Sequence, residues 1–565
     1  MKDSILEQLK GILKNVGTEQ TEFSAPPKSE MGDLAFPCFG LAKEQGKNPA
    51  EVAKELAEKL QQENIEIVEK IQAFGPYVNF FLKTGVLAKE VVETIQQEGE
   101  NYGVNEQGKG RSVLIEYPSN NTHKEFHIGH LRNVCIGNTL VQLYRKSGYT
   151  VVPVNYLNDF GAHVAKCLWG VLRLYDGNIP EGNRQKWLGE VYAEASSAVK
   201  ENEEYQKEVA EIQKKLEAKD PEIWSLFVQT RDWSIEKFQE LFQELKVEHQ
   251  HVFYESEIKS HGQKIVDELL QKGIAKEGER GAIIIDLEKY NLNVALVRKS
   301  DGTGLYLTSD IPLAEEKFKK YDVDESIVIT GVEQNFYFEQ LHKILELLGF
   351  KKKLTHIGYG LVNLPEGKMS SRLGNVILYE DLRDEIFDRL MKETKERHPE
   401  WSSEKIEKTV SLLTQAALKF TIQKHEASKN IVFDLKEAVS FDGFSGPYVL
   451  YVVARIHSLL KKSPFKPTDK VQWDVLKEKE EKNLLLILAE YPQIVEKALA
   501  QYNPSVVTKY CFDLAQAFNG FYNSHTILDE QSLELSEARL LLSDTVEKVL
   551  KNALALLTLE IIDEM

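Results

Sequence analysis

Ser112-Val113-Leu114-Ile115-Glu116-Tyr117 and Val151-Val152-Pro153-Val154-Asn155-Tyr156 enclose the segment whose reading decides the fold. Both are short runs of β-branched and aromatic residues, the composition of buried strands. Between them a polar loop reaches His127-Ile128-Gly129-His130, and residues 130–147 then carry helical apolar spacing ended by Gly148. A strand, a helix and a second strand in that order imply a right-handed crossover and a parallel α/β sheet.

Outward from this unit the pattern changes on both sides. Residues 180–260 read as long charged helices inserted into the sheet domain, after which strand patterns resume at 282–286, 295–298, 305–307 and 326–330. From residue 381 onward the periodicity is helical, with Leu484, Leu485, Leu488, Tyr491, Ile494, Val495 and Ala498 on one face. Upstream, residues 1–100 read as an α+β module, with helical spacing at 5–16 and 52–60 and a strand at 77–82. The glycine-rich stretch 101–111 is its linker. The expected architecture is multidomain α/β plus all-α. A Rossmann-like parallel-sheet domain (111–380, insertion about 180–260) follows the N-terminal module, and a helical connecting region (381–440) leads to an all-α bundle (441–565).

Composition sets outer bounds. A chain of 565 residues is too long for one core. Hydrophobic and charged contents of 42% and 28% are those of a soluble globular protein. Met1-Lys2-Asp3-Ser4 does not lead into a signal peptide, and no run approaches the roughly twenty apolar residues of a membrane span. Cys38, Cys135, Cys167 and Cys511 are scattered without C-x-x-C spacing. That argues against disulfides and a structural zinc, and fits a reducing cytoplasm. The net charge of −18 neither suggests nor excludes a nucleic-acid partner, because binding follows local fields.

Two motifs carry chemistry. His127-Ile128-Gly129-His130 opens a helix directly after a strand. A helix N-terminus offers free N–H groups and partial positive charge to phosphate, and two imidazoles three residues apart can donate to triphosphate oxygens. Gly129 leaves room for a flat base against the backbone. Gly367-Lys368-Met369-Ser370-Ser371-Arg372 forms a second candidate, a loop whose lysine and hydroxyls can close over β- and γ-phosphates. Each alone could be an ordinary turn; in this order, with a parallel-sheet pattern between, they support each other. Gly103 to Lys109 fits seven P-loop positions, but Gly110 stands where Ser or Thr belongs and the stretch precedes its strand. His123 and His127 lack the glutamate of a zinc H-E-x-x-H pattern, so no metal ligand is expected.

The two motifs resemble the HIGH and KMSKS signatures of class I aminoacyl-tRNA synthetases, with Arg372 where the second pattern has lysine or serine. The loop Glu116-Tyr117-Pro118-Ser119-Asn120-Asn121-Thr122-His123-Lys124-Glu125-Phe126 is similar to a block of the arginyl-tRNA synthetases. Asn120 stands where that family has proline, and Pro118 occurs ahead of it. Asn158-Asp159-Phe160-Gly161, Tyr306 to Asp310, Glu333-Gln334-Asn335 and the 441–451 stretch resemble further family segments.

The resemblance implies ATP-dependent activation of L-arginine, with magnesium on the ATP, and transfer of the arginyl group to the 3′ end of tRNA(Arg). It further implies a first step that needs bound tRNA. His127, His130 and Lys368 are then expected to stabilise the transition state, with Gly129, Met369, Ser370 and Ser371 also at the ATP. A guanidinium wants carboxylate and carbonyl acceptors, which Glu116, Asn121, Asp310 and Gln334 supply, with Tyr306 beside them. Asp310 also fits a cap for a helix starting near Ile311-Pro312. Tyr448, Tyr451 and Arg455, with Phe518 and Tyr522, are candidates for anticodon bases, core packing being the alternative for some. The N-terminal module resembles the domain that touches the tRNA elbow. A monomer without membrane attachment is expected. The alternatives are another class I synthetase, for cysteine or lysine, a non-catalytic tRNA-binding paralogue, or a small-molecule nucleotidylyltransferase. The last has no use for a large helical bundle.

Overall fold

A computed structural model describes residues 9–14, 23–24, 26–63, 65–200, 202–300, 302, 304–365, 377–463 and 471–565. The helical reading of residues 5–16 and the motif at 367–372 therefore fall partly or wholly outside the described residues.

The central sheet has five parallel strands in the order Lys353–Tyr359, Glu325–Gly331, Ser112–Glu116, Thr150–Leu157 and His251–Tyr254. Val113, Leu114 and Ile115 are fully buried, because the middle strand is covered on both faces and its run of apolar residues needs no alternation. The crossover is the helix Ile128–Lys146, buried on most of its surface between the sheet and later helices. Gly137 makes this approach possible: a Cβ there would lie 2.3 Å from the Tyr117 ring. The Tyr117 hydroxyl donates to Asn138 Oδ1 at 2.9 Å, and Asn138 Nδ2 donates to the Leu245 carbonyl at 3.0 Å.

Four expectations need correction. Residues 251–254 belong to no insertion; they form the sheet's edge strand, preceded by the helices Arg184–Lys200, Glu203–Glu217 and Pro221–Glu244. The strands Ile283–Asp286 and Val294–Arg298 do not extend the parallel sheet but pair antiparallel, with Ala275–Glu277, in a separate three-stranded sheet. Residues 305–307 are not a strand: the helix Tyr306–Tyr321 starts there and carries Pro312 inside it. Finally, the helical C-terminal part contains the two-residue strand Ile431–Val432, parallel to Val362–Asn363. A local side-chain pattern does not say which strand, sheet or helix a segment joins.

In the N-terminal part, Leu34–Pro37 and Val68–Phe74 flank Tyr77–Leu82 in an antiparallel sheet. The helix Pro49–Leu60 packs on it, opened by Pro49 at N1 and by Asn48, whose side chain accepts from Ala50 N. This part docks on the C-terminal helices. Tyr102 donates to the Leu488 carbonyl at 2.9 Å and stacks on Tyr491, and Lys482 pairs with Asp33 at 2.7 Å. The C-terminal part is built from Gly446–Lys462, Lys479–Ala500, Ser505–Ser524 and Leu533–Leu556. No described helix is long and apolar enough to cross a membrane.

Arg132, 1% exposed, joins three regions. From the helix Ile128–Lys146 its guanidinium donates to the carbonyls of Gly360, Leu361, Glu426, Ala427 and Lys429 at 2.7–3.2 Å. Gly360 is needed beside it, since a Cβ there would meet the Lys429 carbonyl at 2.5 Å. Arg132→Met strands those carbonyls without a donor. It is expected to lower unfolding stability by about 3–5 kcal/mol in a denaturant titration.

Candidate active site

A cavity of about 1010 Å³ opens at the C-terminal ends of the parallel strands, where α/β sheets bind ligands. Glu116, Tyr156, Thr330, Gly331 and Tyr359 reach it from strand ends, and Glu255 from the residue after the edge strand. It lies where the chain order reverses, between Ser112–Glu116 and Glu325–Gly331. Glu116, Asn121, His127, His130, Tyr306, Asp310 and Gln334, singled out from the sequence, all line it. Lys368, Met369, Ser370 and Ser371 lie outside the described residues. Residues 377–379, just after them, pair with the histidine motif: Ile128 N donates to the Ile377 carbonyl and Tyr379 N to that of Phe126.

The loop before the motif is held from two sides. Asn158 N donates to the Asn120 carbonyl and Thr122 N to that of Asn158, so the loop continues the strand pairing. His123 adopts a left-handed backbone, its N–H donating to Ser234 Oγ at 3.0 Å and its Nε2 lying 2.8 Å from Thr230 Oγ1. Both partners sit on the helix Pro221–Glu244, so the helical insertion supports the loop that carries Asn121 and Lys124.

His127 and His130 form a stacked pair with ring centroids 3.7 Å apart. His127 caps the helix: its Nδ1 accepts from Gly129 N at 3.1 Å, while His130 Nδ1 accepts from His127 N at 3.2 Å. With each Nδ1 used as an acceptor, a neutral ring must carry its proton on Nε2. Burial lowers His127 to about 4 and His130 well below the usual histidine range, so both rings are neutral at physiological pH. Gly129 keeps the rings together, because a Cβ there would press on His127 at 2.9 Å.

A second group of lining residues is acidic. Asp310 sits inside the helix Tyr306–Tyr321, not ahead of it, so the capping alternative is corrected. Its Oδ2 accepts from the Tyr337 hydroxyl at 2.5 Å. Burial raises it to about 6, the Tyr337 hydrogen bond opposes that rise, and Glu116 adds to it. Glu255 is raised by burial to about 7, with Asp159 and Asp310 as neighbouring like charges. Asp159 fixes this corner: its carboxylate accepts from Ser256 N and Ser256 Oγ, both at 2.8 Å. Glu116 is paired with Lys317, and both are buried. Tyr306 stands at the rim, 76% exposed, and Gln334 is exposed at the start of the helix Asn335–Leu347.

Sequence reasoning missed Glu255, Lys317 and Tyr337 in this wall and Lys124 beside the histidines. A signal existed for Glu255, since reading 251–254 as a strand places the next residue at a sheet's C-terminal edge.

Among the C-terminal candidates, Arg455 donates to Tyr451 Oη at 2.7 Å and to Asn519 Oδ1 at 2.6 Å, and Asn519 donates to Tyr448 Oη at 2.9 Å. The Arg455 guanidinium also lies over the rings of Tyr451 and Tyr522 at 4.7 and 4.9 Å. Phe518, by contrast, is fully buried core. Tyr451 further lines a cavity of about 270 Å³ with Arg397, Trp401, Phe441 and Met565.

The comparisons agree with this geometry. Residues 91–435 match the family "tRNA synthetases class I (R), catalytic domain", residues 449–565 the "DALR anticodon binding domain", and residues 1–82 the "Arginyl tRNA synthetase N terminal domain". An arginine–tRNA ligase of Clostridium beijerinckii is 35% identical over 542 residues, 96% of this chain and 95% of that one. One of Bdellovibrio bacteriovorus is 35% identical over 576 residues, 98% of each. The solved Thermus thermophilus arginyl-tRNA synthetase superposes with a TM-score of 0.81 at 25% identity, each chain fully covered. An arginyl-tRNA synthetase from Plasmodium falciparum shares the fold, with a TM-score of 0.80 at 20% identity and 99% of each chain covered. With its parallel sheet, paired histidines and helical C-terminal part, this chain belongs to the arginyl-tRNA synthetase family.

Proposed function

We propose that the cavity holds arginine and ATP end to end, with Asp310 on the guanidinium and His127 and His130 on the phosphates, in the ATP-dependent ligation of arginine to tRNA. The observation that carries this reading is the carboxyl of Asp310, held by the Tyr337 hydroxyl, in the same cavity that two neutral imidazoles line. A guanidinium stays charged at every accessible pH and its fork suits carboxylates, so Asp310 and Glu255 can take it between them. Tyr306 covers the mouth of this end and Gln334 and Asn121 offer amides to the polar end of the amino acid. Glu116 completes the wall.

The arginine carboxylate attacks the α-phosphorus, pyrophosphate leaves, and the adenylate then passes its arginyl group to the terminal ribose of the tRNA. The Nε2–H groups of His127 and His130 point their dipoles at charge that grows on phosphate oxygens; Lys368 is assigned to the leaving pyrophosphate. Magnesium accompanies ATP and supplies charge neutralisation on the triphosphate. No covalent intermediate with the chain is needed, since positioning and fixed dipoles supply the catalysis. Gly129, Met369, Ser370 and Ser371 belong to the same ATP seat, Gly129 by sparing the space beside His127.

Residues 1–100 are assigned to the tRNA elbow, 111–380 to catalysis, 381–440 to the connection and 441–565 to the anticodon. The Tyr448, Tyr451 and Arg455 group supports the last, because a guanidinium sandwiched by phenol rings offers both stacking and hydrogen bonds to an unpaired base. A cytoplasmic location is favoured by four buried cysteines without disulfide partners, and a monomer is the assembly proposed.

ATP–pyrophosphate exchange across the twenty amino acids, with and without tRNA, tests the proposal. Exchange with arginine, requiring tRNA, is expected. Exchange with a different amino acid overturns the assignment of the acidic wall, and absence of exchange overturns the catalytic roles.

A further inference from the structure

We infer that Lys317 is a positioning residue of the arginine site: by pairing with Glu116 it confines the negative charge that faces the guanidinium to Asp310 and Glu255. The inference rests on the placement of the guanidinium against Asp310 proposed above.

Glu116 ends the central strand and is 3% exposed; Lys317 is 4% exposed and touches its Oε2. The other oxygen, Oε1, accepts from Ser119 Oγ at 3.4 Å. At such depth the two opposite charges compensate each other. Lys317 follows Asp310 by seven residues on the same helix, which places both on one face about 10 Å apart along the axis. Glu116 approaches that face from the sheet, and all three line the cavity.

The neighbouring titratable groups do not upset this balance. Tyr156 and Tyr337 are pushed up by burial and remain neutral phenols. His342, packed near the ammonium, is pushed down by burial and by Lys317. Lys259 pairs with Glu217 at 3.0 Å and also lowers the proton affinity of Glu255, and Arg231 lies 3.7 Å from Asp159. On the Asp310 carboxyl, Glu116 and Lys317 act in opposite directions, the first raising and the second lowering its affinity for a proton. Removing Lys317 therefore leaves Asp310 more easily protonated. Removing Glu116 leaves a buried ammonium that repels the substrate cation.

The test is a charge cycle read from the pH profile of kcat/KM for arginine. Lys317→Met is expected to move the midpoint up by about one pH unit, costing about tenfold in kcat/KM below it. Glu116→Gln is expected to raise KM for arginine about a hundredfold with KM for ATP unchanged. The double variant, which removes both charges, is expected to return to the parent midpoint and to raise KM for arginine less than Glu116→Gln alone. Lys317→Arg keeps the charge and the midpoint. A double variant no better than the worse single one overturns the inference, because a packing role alone cannot give rescue. If Lys317→Met is too unstable to assay, the double variant decides by its midpoint alone. Asp310→Asn run alongside separates the two failures. A large rise in KM for arginine without rescue in the cycle sinks the charge balance only, and an unchanged KM sinks the placement beneath it.

Discussion

Asp310→Asn is expected to lower kcat/KM for arginine by about 10²–10³, the loss associated with removing one partner of a buried charge pair. The substitution keeps the shape and leaves the Tyr337 hydroxyl an acceptor, so the change reports the charge rather than the packing. The effect should fall on KM for arginine, with KM for ATP close to the parent value, because the proposal assigns this carboxyl to the guanidinium and the histidine pair to the phosphates. A pH signature goes with it. Burial holds the Asp310 proton to about pH 6, so the binding carboxylate forms only above that value. kcat/KM for arginine should therefore climb from about pH 6 through about pH 7 as Asp310 and then Glu255 ionise, and the Asn variant should lose the Asp310 part of that climb. Steady-state kinetics between pH 5 and 8 check both. A variant with unchanged KM, or with the same climb, removes Asp310 from the guanidinium.

His130→Asn, and separately His127→Asn, should lower the rate of pyrophosphate exchange about 10²–10³-fold, the usual loss for one preorganised donor to a transition-state oxygen. KM for arginine should hardly move, since neither ring is placed at the amino-acid end. His130→Asn removes the ring whose Nδ1 accepts the His127 amide, and with it the stacking that orients His127. The two single losses should accordingly overlap in the double variant and fall short of their product. Both rings are already neutral above about pH 4 to judge from His127, so the exchange rate should show no histidine titration between pH 5 and 8. An inflection in that interval that persists at saturating arginine and in the Asp310→Asn variant would instead mean that one ring works as an acid or base.

The histidine motif was legible because its determinants are local. A strand, a capping residue and a helix follow one another within about twenty positions, and the cap is made by His127 on Gly129 N, two residues away. The Asn48-Pro49 helix start and the strand 77–82 were readable for the same reason. The failures share the opposite cause. The edge strand His251–Tyr254 looked like part of a charged insertion, because its partner Val154 lies almost a hundred residues upstream. The strand patterns at 282–286 and 295–298 were true, but a local pattern does not say which sheet accepts it, or in which direction. Residues 305–307 were misread because Pro312 suggested that a helix could begin only beside it. The helix tolerates that proline in its interior.

By itself, then, the sequence determined the class of catalyst, through the order and spacing of its phosphate-handling motifs, and most elements, through side-chain periodicity and caps. Those are properties of neighbours along the chain. The tertiary structure alone decided how the acidic wall is charged. It set Glu116 against Lys317 two hundred residues away, gave Asp310 the hydroxyl of Tyr337, and brought Glu255 in from the edge strand. Ionisation depends on burial and on charges within a few ångströms. Neither quantity exists until the sheet and helices have assembled.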